Sequence, residues 1–346
     1  MFTHGKNIRT FSLEELQQLF LEKGEPKFRA KQLYEWLWQK QAATYDEMSN
    51  LSLATRTWLE VTYPIHPVVV DHKQISNDRT IKSAFRLHDG YFVEGVLIPT
   101  ESRMTACISS QVGCSLSCKF CATGKMERKR NIDHYEIFDQ VALIKKQSEE
   151  HYNIPLSNIV YMGMGEPLLN YSNVMKSIEM ITSPDGLGMS PQRITVSTAG
   201  ISKMIVKLAD DGAKFNLALS LHAANDRKRD EIMPINESNT LATLEEALSY
   251  FYNKTGTRPT LEYIVFDKFN DSIEDANELA AFARKFPTKI NLIEYNSIGD
   301  GLFQKSSEQR LNAFVRHLES KKLIVNLRRS RGKDIDAACG QLANKG

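Results

Sequence analysis

The 346-residue sequence has no long apolar run, no apolar start and almost no net charge. No stretch approaches the roughly 18 apolar residues of a membrane span, so we expect no helical membrane segment. The start of the chain lacks the apolar core of a signal peptide, and we therefore expect a cytoplasmic protein with no membrane partner. Lysine plus arginine number 44 against 42 for aspartate plus glutamate, so any attraction to nucleic acid must come from local patches.

The sequence also has few cysteines, but three of its five lie close together. Cys114, Cys118 and Cys121 are spaced C-x3-C-x2-C after Gly113. Three soft thiolates at this spacing suit an iron-sulfur cluster or zinc. Structural zinc needs four protein ligands, and no second C-x-x-C pair follows, so the zinc interpretation lacks a ligand. A three-thiolate cluster with one iron left open is favoured.

Periodicity divides the chain into three parts. Residues 1–66 are predicted to form a small helical accessory domain, because apolar residues recur at helical spacing and Ser12 with Glu15 matches a capping box. Residues 67–99 alternate in polarity and are predicted to form a linking β-hairpin that turns at Asp89 and Gly90. Residues 100–346 are predicted to be the core, with strand and helix signals in alternation.

Six short apolar strands are predicted in this core, at 105–110, 159–164, 193–197, 215–221, 260–266 and 290–295. The intervening helices are predicted at 135–149, 173–182, 202–210, 243–252, 273–286 and 307–321. Six such units favour a parallel sheet and are too few for a closed eight-stranded barrel. The fold class is therefore α/β, a partial (β/α)6 barrel, with chemistry expected at the carboxyl ends of the strands. The cysteine loop follows the first strand.

Glycine, polar residues and one leucine follow several predicted strands. They are Gly165, Glu166, Ser197, Ser220, Leu221, His222 and Asn296 with their neighbours. Hydroxyl and amide groups at such positions suit hydrogen bonding to a ribose, a carboxylate and an adenine. Each one alone could be an ordinary turn or helix cap. Their recurrence at the same end of successive strands favours a binding site.

Taken together, the motifs resemble those of the radical S-adenosylmethionine enzymes, and among these the RlmN/Cfr family of adenosine methyltransferases. The resemblance rests on the C-x3-C-x2-C motif, on Cys-Ile-Ser-Ser-Gln at 107–111, on Gly-Met-Gly-Glu-Pro at 163–167 and on Ala-Ala-Cys-Gly-Gln-Leu at 337–342. It covers nearly the full length of the chain. Pro167 favours the housekeeping branch of the family.

The resemblance implies a [4Fe-4S] cluster on Cys114, Cys118 and Cys121, and S-adenosylmethionine bound by the open iron and by the strand-end residues. It implies methylation of carbon 2 of adenosine 2503 in 23S ribosomal RNA and of adenosine 37 in transfer RNA. One S-adenosylmethionine would methylate Cys339, and a second would give a radical that takes a hydrogen from that methyl group. The implied partners are 23S rRNA, tRNA and an electron donor such as flavodoxin. We expect a monomer.

Further residues receive roles by the same resemblance. Cys107 matches a cysteine that attacks the linked sulfur and leaves a transient disulfide with Cys339. Glu94 matches a carboxylate proposed as proton acceptor, although in the sequence it is an alternating strand residue that could face solvent. Basic residues at 125–130 and 328–333 flank the site. Charge runs are usually solvated, but their position on both sides of one site favours contact with RNA phosphates.

Two alternatives stay open. One is a Cfr-like methyltransferase that modifies carbon 8 of adenosine, which its product would distinguish. The other is a non-catalytic, metal-stabilised RNA-binding module in which the cysteines only fold a loop. Cys107 and Cys339 count against the module, since it would need neither. A thiol oxidoreductase is disfavoured because the only redox C-x-x-C pair, Cys118 and Cys121, belongs to the cluster motif.

Overall fold

A computed structural model describes residues 5–344. Its helices are α1 Leu13–Glu22, α2 Lys27–Trp38, α3 Leu53–Thr62, α4 His134–Tyr152, α5 Tyr171–Thr182, α6 Ser202–Asp210, α7 Asp226–Ile232, α8 Leu241–Thr255, α9 Ile273–Ala283 and α10 Glu308–Ser320. Its strands are β1 Val69–Ile75, β2 Ile81–Arg86, β3 Phe92–Pro99, β4 Met104–Cys107, β5 Gln111–Val112, β6 Arg130–Asn131, β7 Asn158–Tyr161, β8 Ile194–Thr198, β9 Asn216–Ser220, β10 Thr260–Val265, β11 Lys289–Glu294 and β12 Val325–Arg328.

Ten strands form one sheet in the order β1-β2-β3-β4-β7-β8-β9-β10-β11-β12. From β4 to β12 every neighbouring pair is parallel. All six predicted core strands are present, and β12 adds a seventh parallel strand at the edge. In residues 5–344 no pairing joins the edge strands β1 and β12, so the barrel is open. The predicted α/β fold with a partial barrel is confirmed.

The antiparallel strands β1, β2 and β3 continue this sheet beyond β4. The hairpin between β2 and β3 turns at Asp89 and Gly90, where Gly90 adopts a φ of +84° that suits glycine. Val96 of β3 lies opposite Cys107 of β4. The predicted hairpin is therefore an integral edge of the sheet, directly beside a candidate site residue.

The N-terminal helices pack against α4 of the core. Ser12 and Glu15 form the predicted capping box at the start of α1. Trp38, at the end of α2, is 2% exposed, and its ring meets the Phe138 ring edge-on at 5.1 Å between centroids. Arg9 donates a hydrogen bond to Asp139 at 2.5 Å. Aromatic packing and a partly buried ion pair thus hold the helical region on the barrel.

Candidate active site

The carboxyl ends of the parallel strands line a cavity of about 360 Å³. Its wall includes Cys114, Cys118 and Cys121, together with Cys107 at the end of β4 and Cys339 near the end of the chain. All five cysteines of the sequence therefore meet in one place, although they are far apart along the chain. This arrangement is expected for a site that combines a metal cluster with thiol chemistry.

The loop that carries the three closely spaced cysteines is irregular rather than helical. It begins at Gly113, whose φ is +76° and where a Cβ atom would lie 2.1 Å from the Glu127 carbonyl oxygen, so only glycine fits. Burial raises the pKa of Cys114 to about 11 and also raises the pKa of Cys118. Without a metal these side chains are therefore held as thiols.

The donor set fits a cluster better than a single ion. In residues 5–344, no three His, Cys, Asp or Glu side chains are grouped closely enough to hold one metal ion. A cubane cluster requires no such grouping, because each thiolate binds a different iron. Three cysteines on one loop that faces a cavity can hold three irons and leave the fourth iron open to a ligand.

The Gly165 and Glu166 turn lies on the cavity wall after β7. A Cβ atom on Gly165 would lie 2.4 Å from Cβ of Gln111, and its φ of +94° also requires glycine. The Glu166 carboxylate accepts hydrogen bonds from the amides of Ala199, at 2.8 Å, and Leu168, at 3.1 Å. Burial raises the pKa of Glu166 to about 7 despite these bonds.

Two residues of the 107–111 motif hold this turn in place. Gln111 Oε1 accepts a hydrogen bond from the Glu166 amide at 2.8 Å. Ser109 Oγ accepts one from the Met164 amide, at 2.8 Å, and donates one to the Glu94 carbonyl oxygen, at 2.6 Å. No role was predicted for either residue, although both belong to the motif that precedes the cysteine loop.

The third and fourth core strands contribute Ser197, Ser220 and His222 to the cavity. The hydroxyls of Ser197 and Ser220 are 3.4 Å apart. His222 Nδ1 accepts a hydrogen bond from the Ile264 amide at 3.1 Å, and burial lowers the pKa of His222 to about 3. The ring is therefore neutral, with its proton on Nε2. Leu221 is fully buried in the hydrophobic core, so its side chain does not line the cavity.

Cys339 lines the cavity, and its side chain is open to solvent there. Protein surrounds the thiol on its other sides, and this burial raises its pKa. Asn296 is placed behind it rather than on the cavity wall, with Nδ2 3.5 Å from the Cys339 carbonyl oxygen. Cys107 is 8% exposed. Cys107 and Cys339 are free thiols facing the same space, so the structure has no disulfide between them.

Two family models match this chain. Residues 6–65 match the ribosomal RNA large subunit methyltransferase N-terminal domain, and residues 108–280 match the radical SAM superfamily. A probable dual-specificity RNA methyltransferase RlmN from Cytophaga hutchinsonii is 61% identical over 98% of this chain and 93% of its own length. The chain belongs to the RlmN family. The resemblance inferred from the motifs is thereby confirmed.

Other relatives agree with this assignment. The dual-specificity RNA methyltransferase RlmN from Geobacter sulfurreducens is 42% identical over 98% of this chain and 92% of its own length. The crystal structure of a radical SAM methyltransferase from Sphaerobacter thermophilus superposes with a TM-score of 0.92 at 37% identity. That match covers 97% of this chain and 99% of the other. An RlmN-family chain is a radical SAM RNA methyltransferase, and the family implies S-adenosylmethionine and a [4Fe-4S] cluster.

Across residues 5–344, no helix is long and apolar enough to span a membrane.

Glu94, the predicted proton acceptor, is placed outside the cavity wall of this RlmN-family chain. It is 2% exposed, and Oε1 lies 3.3 Å from Lys82 Nζ. Its other oxygen, Oε2, accepts hydrogen bonds from the amides of Ala343, at 2.8 Å, and Asn344, at 3.1 Å. Both carboxylate oxygens are therefore occupied by partners within the chain.

The basic residues that flank the site are mostly paired with carboxylates. Arg130 pairs with Asp89 and Glu136, and Arg328 Nη1 lies 3.2 Å from Glu262 Oε2 inside the cavity. Beside them, Glu294 is surrounded by three cations, which are Lys305, Arg329 and Lys333. Burial of Glu294 opposes its ionisation, but the hydrogen bonds from Lys333 and Arg329 outweigh it and lower its pKa to about 2.

No pattern in the sequence predicted a role for Arg229 on α7. Its guanidinium is fully buried and donates to the carbonyl oxygens of Ala199, Ser220 and Leu221, at 2.6, 3.3 and 3.1 Å, and to the Asn236 side chain at 2.6 Å. It therefore joins the carboxyl ends of β8 and β9, on which the cavity serines sit. Burial lowers its pKa to about 10, so it stays charged at neutral pH.

Replacing Arg229 with leucine should lower the free energy of unfolding by roughly 3–5 kcal/mol, because four buried acceptors lose their donor. Urea denaturation followed by circular dichroism measures the change. The matched control is Arg227→Leu on the same helix, where only an exposed pair with Glu231 at 3.5 Å is lost and a change below about 0.5 kcal/mol is expected. Equal stability of the two variants would contradict the role assigned to Arg229.

Proposed function

We propose that this chain methylates carbon 2 of adenosine 2503 in 23S rRNA and of adenosine 37 in tRNA, using two S-adenosylmethionine molecules and a methylated Cys339. The observation that carries the proposal is that Cys107 and Cys339 share one cavity with the three cysteines of the C-x3-C-x2-C loop. Carbon 2 of adenine has no lone pair with which to attack a sulfonium methyl group. A radical route with a protein-bound methyl carrier does not require such a lone pair.

Cys114, Cys118 and Cys121 would hold the cluster. Gly165, Glu166, Ser197, Ser220 and His222 line the same cavity and would hold S-adenosylmethionine, with Asn296 supporting the wall beside Cys339. When bound, these groups together supply a strongly oxidising carbon radical that can remove a hydrogen from a methyl group. The protein then binds and orients the reacting groups and excludes water from that reaction.

The two further cysteines would act in sequence. The Cys339 thiolate takes a methyl group from a sulfonium sulfur, and the thiol proton is lost to solvent. When that carbon is joined to the adenine ring, one methyl hydrogen goes to the carbon radical, and the ring gives up one proton to a base and one electron, which would return to the cluster. The Cys107 sulfur then attacks the Cys339 sulfur. The carbon–sulfur bond breaks, a sulfur–sulfur bond forms, and the released carbon takes a proton to become the new methyl group. An external dithiol then reduces the disulfide.

Burial and the neighbouring Cys339 raise the pKa of Cys107 to about 12, and the positive charge of Arg328 opposes this rise. The attack on the linked sulfur therefore needs Cys107 to lose its proton within the cavity. Glu94 is the proposed proton acceptor for the ring proton. In the present arrangement both of its oxygens are occupied, so this role requires the segment at 343–344 to release it.

RNA would approach along the basic side chains at the mouth of the cavity. The Arg329–Glu308 pair does not prevent this, because both side chains are half-exposed; such ion pairs contribute only about 0–1 kcal/mol, and a phosphate can compete for the cation. Around Glu294 and Glu308, the three cations Lys305, Arg329 and Lys333 leave one excess positive charge. Because each contact between a cation and a phosphate releases counterions, RNA binding that uses both basic clusters should weaken steeply with salt.

The direct test is anaerobic incubation of cluster-reconstituted protein with methyl-labelled S-adenosylmethionine, a reductant and either a 23S rRNA fragment or tRNA. Nucleoside mass spectrometry then identifies the product. We expect 2-methyladenosine from both RNAs. 8-Methyladenosine would assign the chain to a Cfr-like activity, and absence of any methylated product despite reductive cofactor cleavage would overturn the assigned substrate.

Binding of S-adenosylmethionine should depend on pH through Glu166. The pKa of about 7 means that this carboxyl is protonated below neutral pH and charged above it. If it holds the ammonium group of the cofactor, affinity should fall about tenfold for each unit below pH 7. Calorimetric titration between pH 5.5 and 7 measures this. Glu166→Gln should bind weakly at every pH, whereas the exposed-site control Glu101→Gln should follow the wild type.

A further inference from the structure

The segment that carries Cys339 has little structure of its own. Between residues 331 and 344 there is one short 3-10 turn, Lys333–Ile335, and no α-helix or strand. Its internal hydrogen bonds are few, so contacts with the rest of the chain must fix the position of Cys339. We call residues 331–344 the carrier segment.

The upstream end of the carrier segment is held by the turn between β1 and β2. Asp334 accepts hydrogen bonds from the Ser76 hydroxyl, at 2.5 Å, and the Asn77 amide, at 3.1 Å. In return, Asp78 accepts one from the Gly332 amide at 2.8 Å. The turn and the carrier segment thus each donate an amide hydrogen bond to a carboxylate of the other. These two bonds fix the position and the direction of the carrier segment.

The downstream end is held by β3. Glu94 accepts the amides of Ala343 and Asn344, and the Asn344 side chain donates to the Phe92 carbonyl oxygen at 2.7 Å. Lys82 on β2 is 5% exposed and balances the charge of Glu94. A buried ion pair is costly unless further hydrogen bonds satisfy it, and here the two amides of the carrier segment do so.

Cys339 therefore lies near the middle of a span, 335–342. Its upstream end is attached to the turn between β1 and β2, and its downstream end to β3. Within the span, the Gly340 carbonyl accepts the Ala122 amide at 2.8 Å and the Gln341 side chain donates to the Ser297 carbonyl at 2.9 Å. The strand β3 also pairs with β4, which ends at Cys107. The same antiparallel unit therefore contacts both the carrier segment and the strand that ends at Cys107.

We propose that β1, β2 and β3 are a docking platform for the carrier segment, with Asp78 and Asp334 as positioning residues at its upstream end. Glu94 holds the downstream end except at the step in which it would accept the ring proton. The platform holds the ends of the span, while Cys339 can meet the methyl donor, the adenine and Cys107 in turn. This inference rests on the proposed function. It gives the antiparallel extension of the barrel a role in the reaction that is distinct from supporting the sheet.

The test uses Asp78→Asn combined with Asp334→Asn in the cluster-reconstituted full chain. The control is Asp71→Asn on β1, which removes only a surface contact with Arg86 at 3.5 Å. Hydrogen–deuterium exchange, without RNA, reports the amides of Asn77 and Gly332 directly. We expect about fivefold faster exchange in the double variant, because each amide exchanges a charge-assisted hydrogen bond to a carboxylate for a weaker one to a carboxamide oxygen, and no change in the control.

The second readout is the number of S-adenosylmethionine molecules cleaved reductively for each methyl group delivered to RNA. A methyl group on a displaced Cys339 lies out of reach of the radical, so this ratio should rise at least about threefold in the double variant. A mere loss of folded protein would instead lower cofactor cleavage and methyl delivery together. Faster exchange with an unchanged ratio would overturn the proposal. Unchanged exchange would overturn it as well. If the double variant does not fold, Ser76→Ala provides the same two readouts with a single lost donor.

The outcome separates this proposal from the proposed function. A wild type that delivers no methyl group to adenosine would overturn the function, and the platform would then be judged by exchange and by the fraction of Cys339 that carries a methyl group. We expect that fraction to fall in the double variant but not in Asp71→Asn. Equal fractions in both would overturn the platform.

Discussion

Replacing Cys339 with alanine is expected to reduce the yield of methylated adenosine by at least about three orders of magnitude, because the methyl group has no other carrier in the cavity. The other cavity thiol, Cys107, is 8% exposed and fixed at the end of a strand, so it cannot substitute. The three remaining cysteines are assigned to the cluster. Binding and reductive cleavage of S-adenosylmethionine should persist, since Cys339 is not assigned to either.

The measurement is product formation by nucleoside mass spectrometry, together with the mass of the peptide that contains residue 339. The wild type should show a methylated Cys339, and the variant should show no methyl group on that peptide. Ser330→Ala is a suitable control, because the Ser330 hydroxyl has no hydrogen-bond partner in the described part of the chain. Normal product from Cys339→Ala would remove the methyl carrier from the mechanism.

Replacing Cys107 with alanine is expected to stop the reaction at a covalent adduct between protein and RNA. Cys107 faces the same cavity as Cys339, and its sulfur is the only assigned nucleophile for releasing the linked carbon. Turnover should fall to about one event per enzyme molecule, with the RNA retained on Cys339. The loss of one small buried side chain should cost only about 1 kcal/mol in stability, so the variant should fold.

Denaturing gel electrophoresis followed by nuclease digestion and mass spectrometry detects such an adduct. The double variant Cys107→Ala with Cys339→Ala should form none, which separates a specific linkage from adventitious cross-linking. Repeated turnover by Cys107→Ala without an adduct would exclude Cys107 from the release step.

Several features of the fold could be predicted from the sequence because they depend on neighbours along the chain. The capping box of Ser12 and Glu15 forms as expected, since both residues belong to one helical turn. The six core strands are apolar, and turn residues or helices separate them. By contrast, β12 was missed because an edge strand is only partly covered, and its sequence Val-Asn-Leu-Arg mixes polar and apolar residues.

The positions of single side chains were less predictable. Leu221 lies between Ser220 and His222, just beyond the end of β9, where His222 adopts a φ of +55°. In this turn Leu221 enters the hydrophobic core while its two neighbours line the cavity, which strand alternation does not predict. The sequence of the short, highly charged helix that carries Arg229 predicts that its side chains are exposed to solvent. Its burial arises only because two strand ends present carbonyl groups to it.

The sequence by itself determined the family, the cluster motif and the alternation of strands and helices, because these depend on residue identity and on spacing along the chain. Only the tertiary structure decided that Glu94 faces the carrier segment rather than the cavity, and that Asp78 and Asp334 hold that segment. These contacts join residues about 250 positions apart. No local pattern encodes such contacts, because their partners are selected by how the barrel and its antiparallel edge pack together.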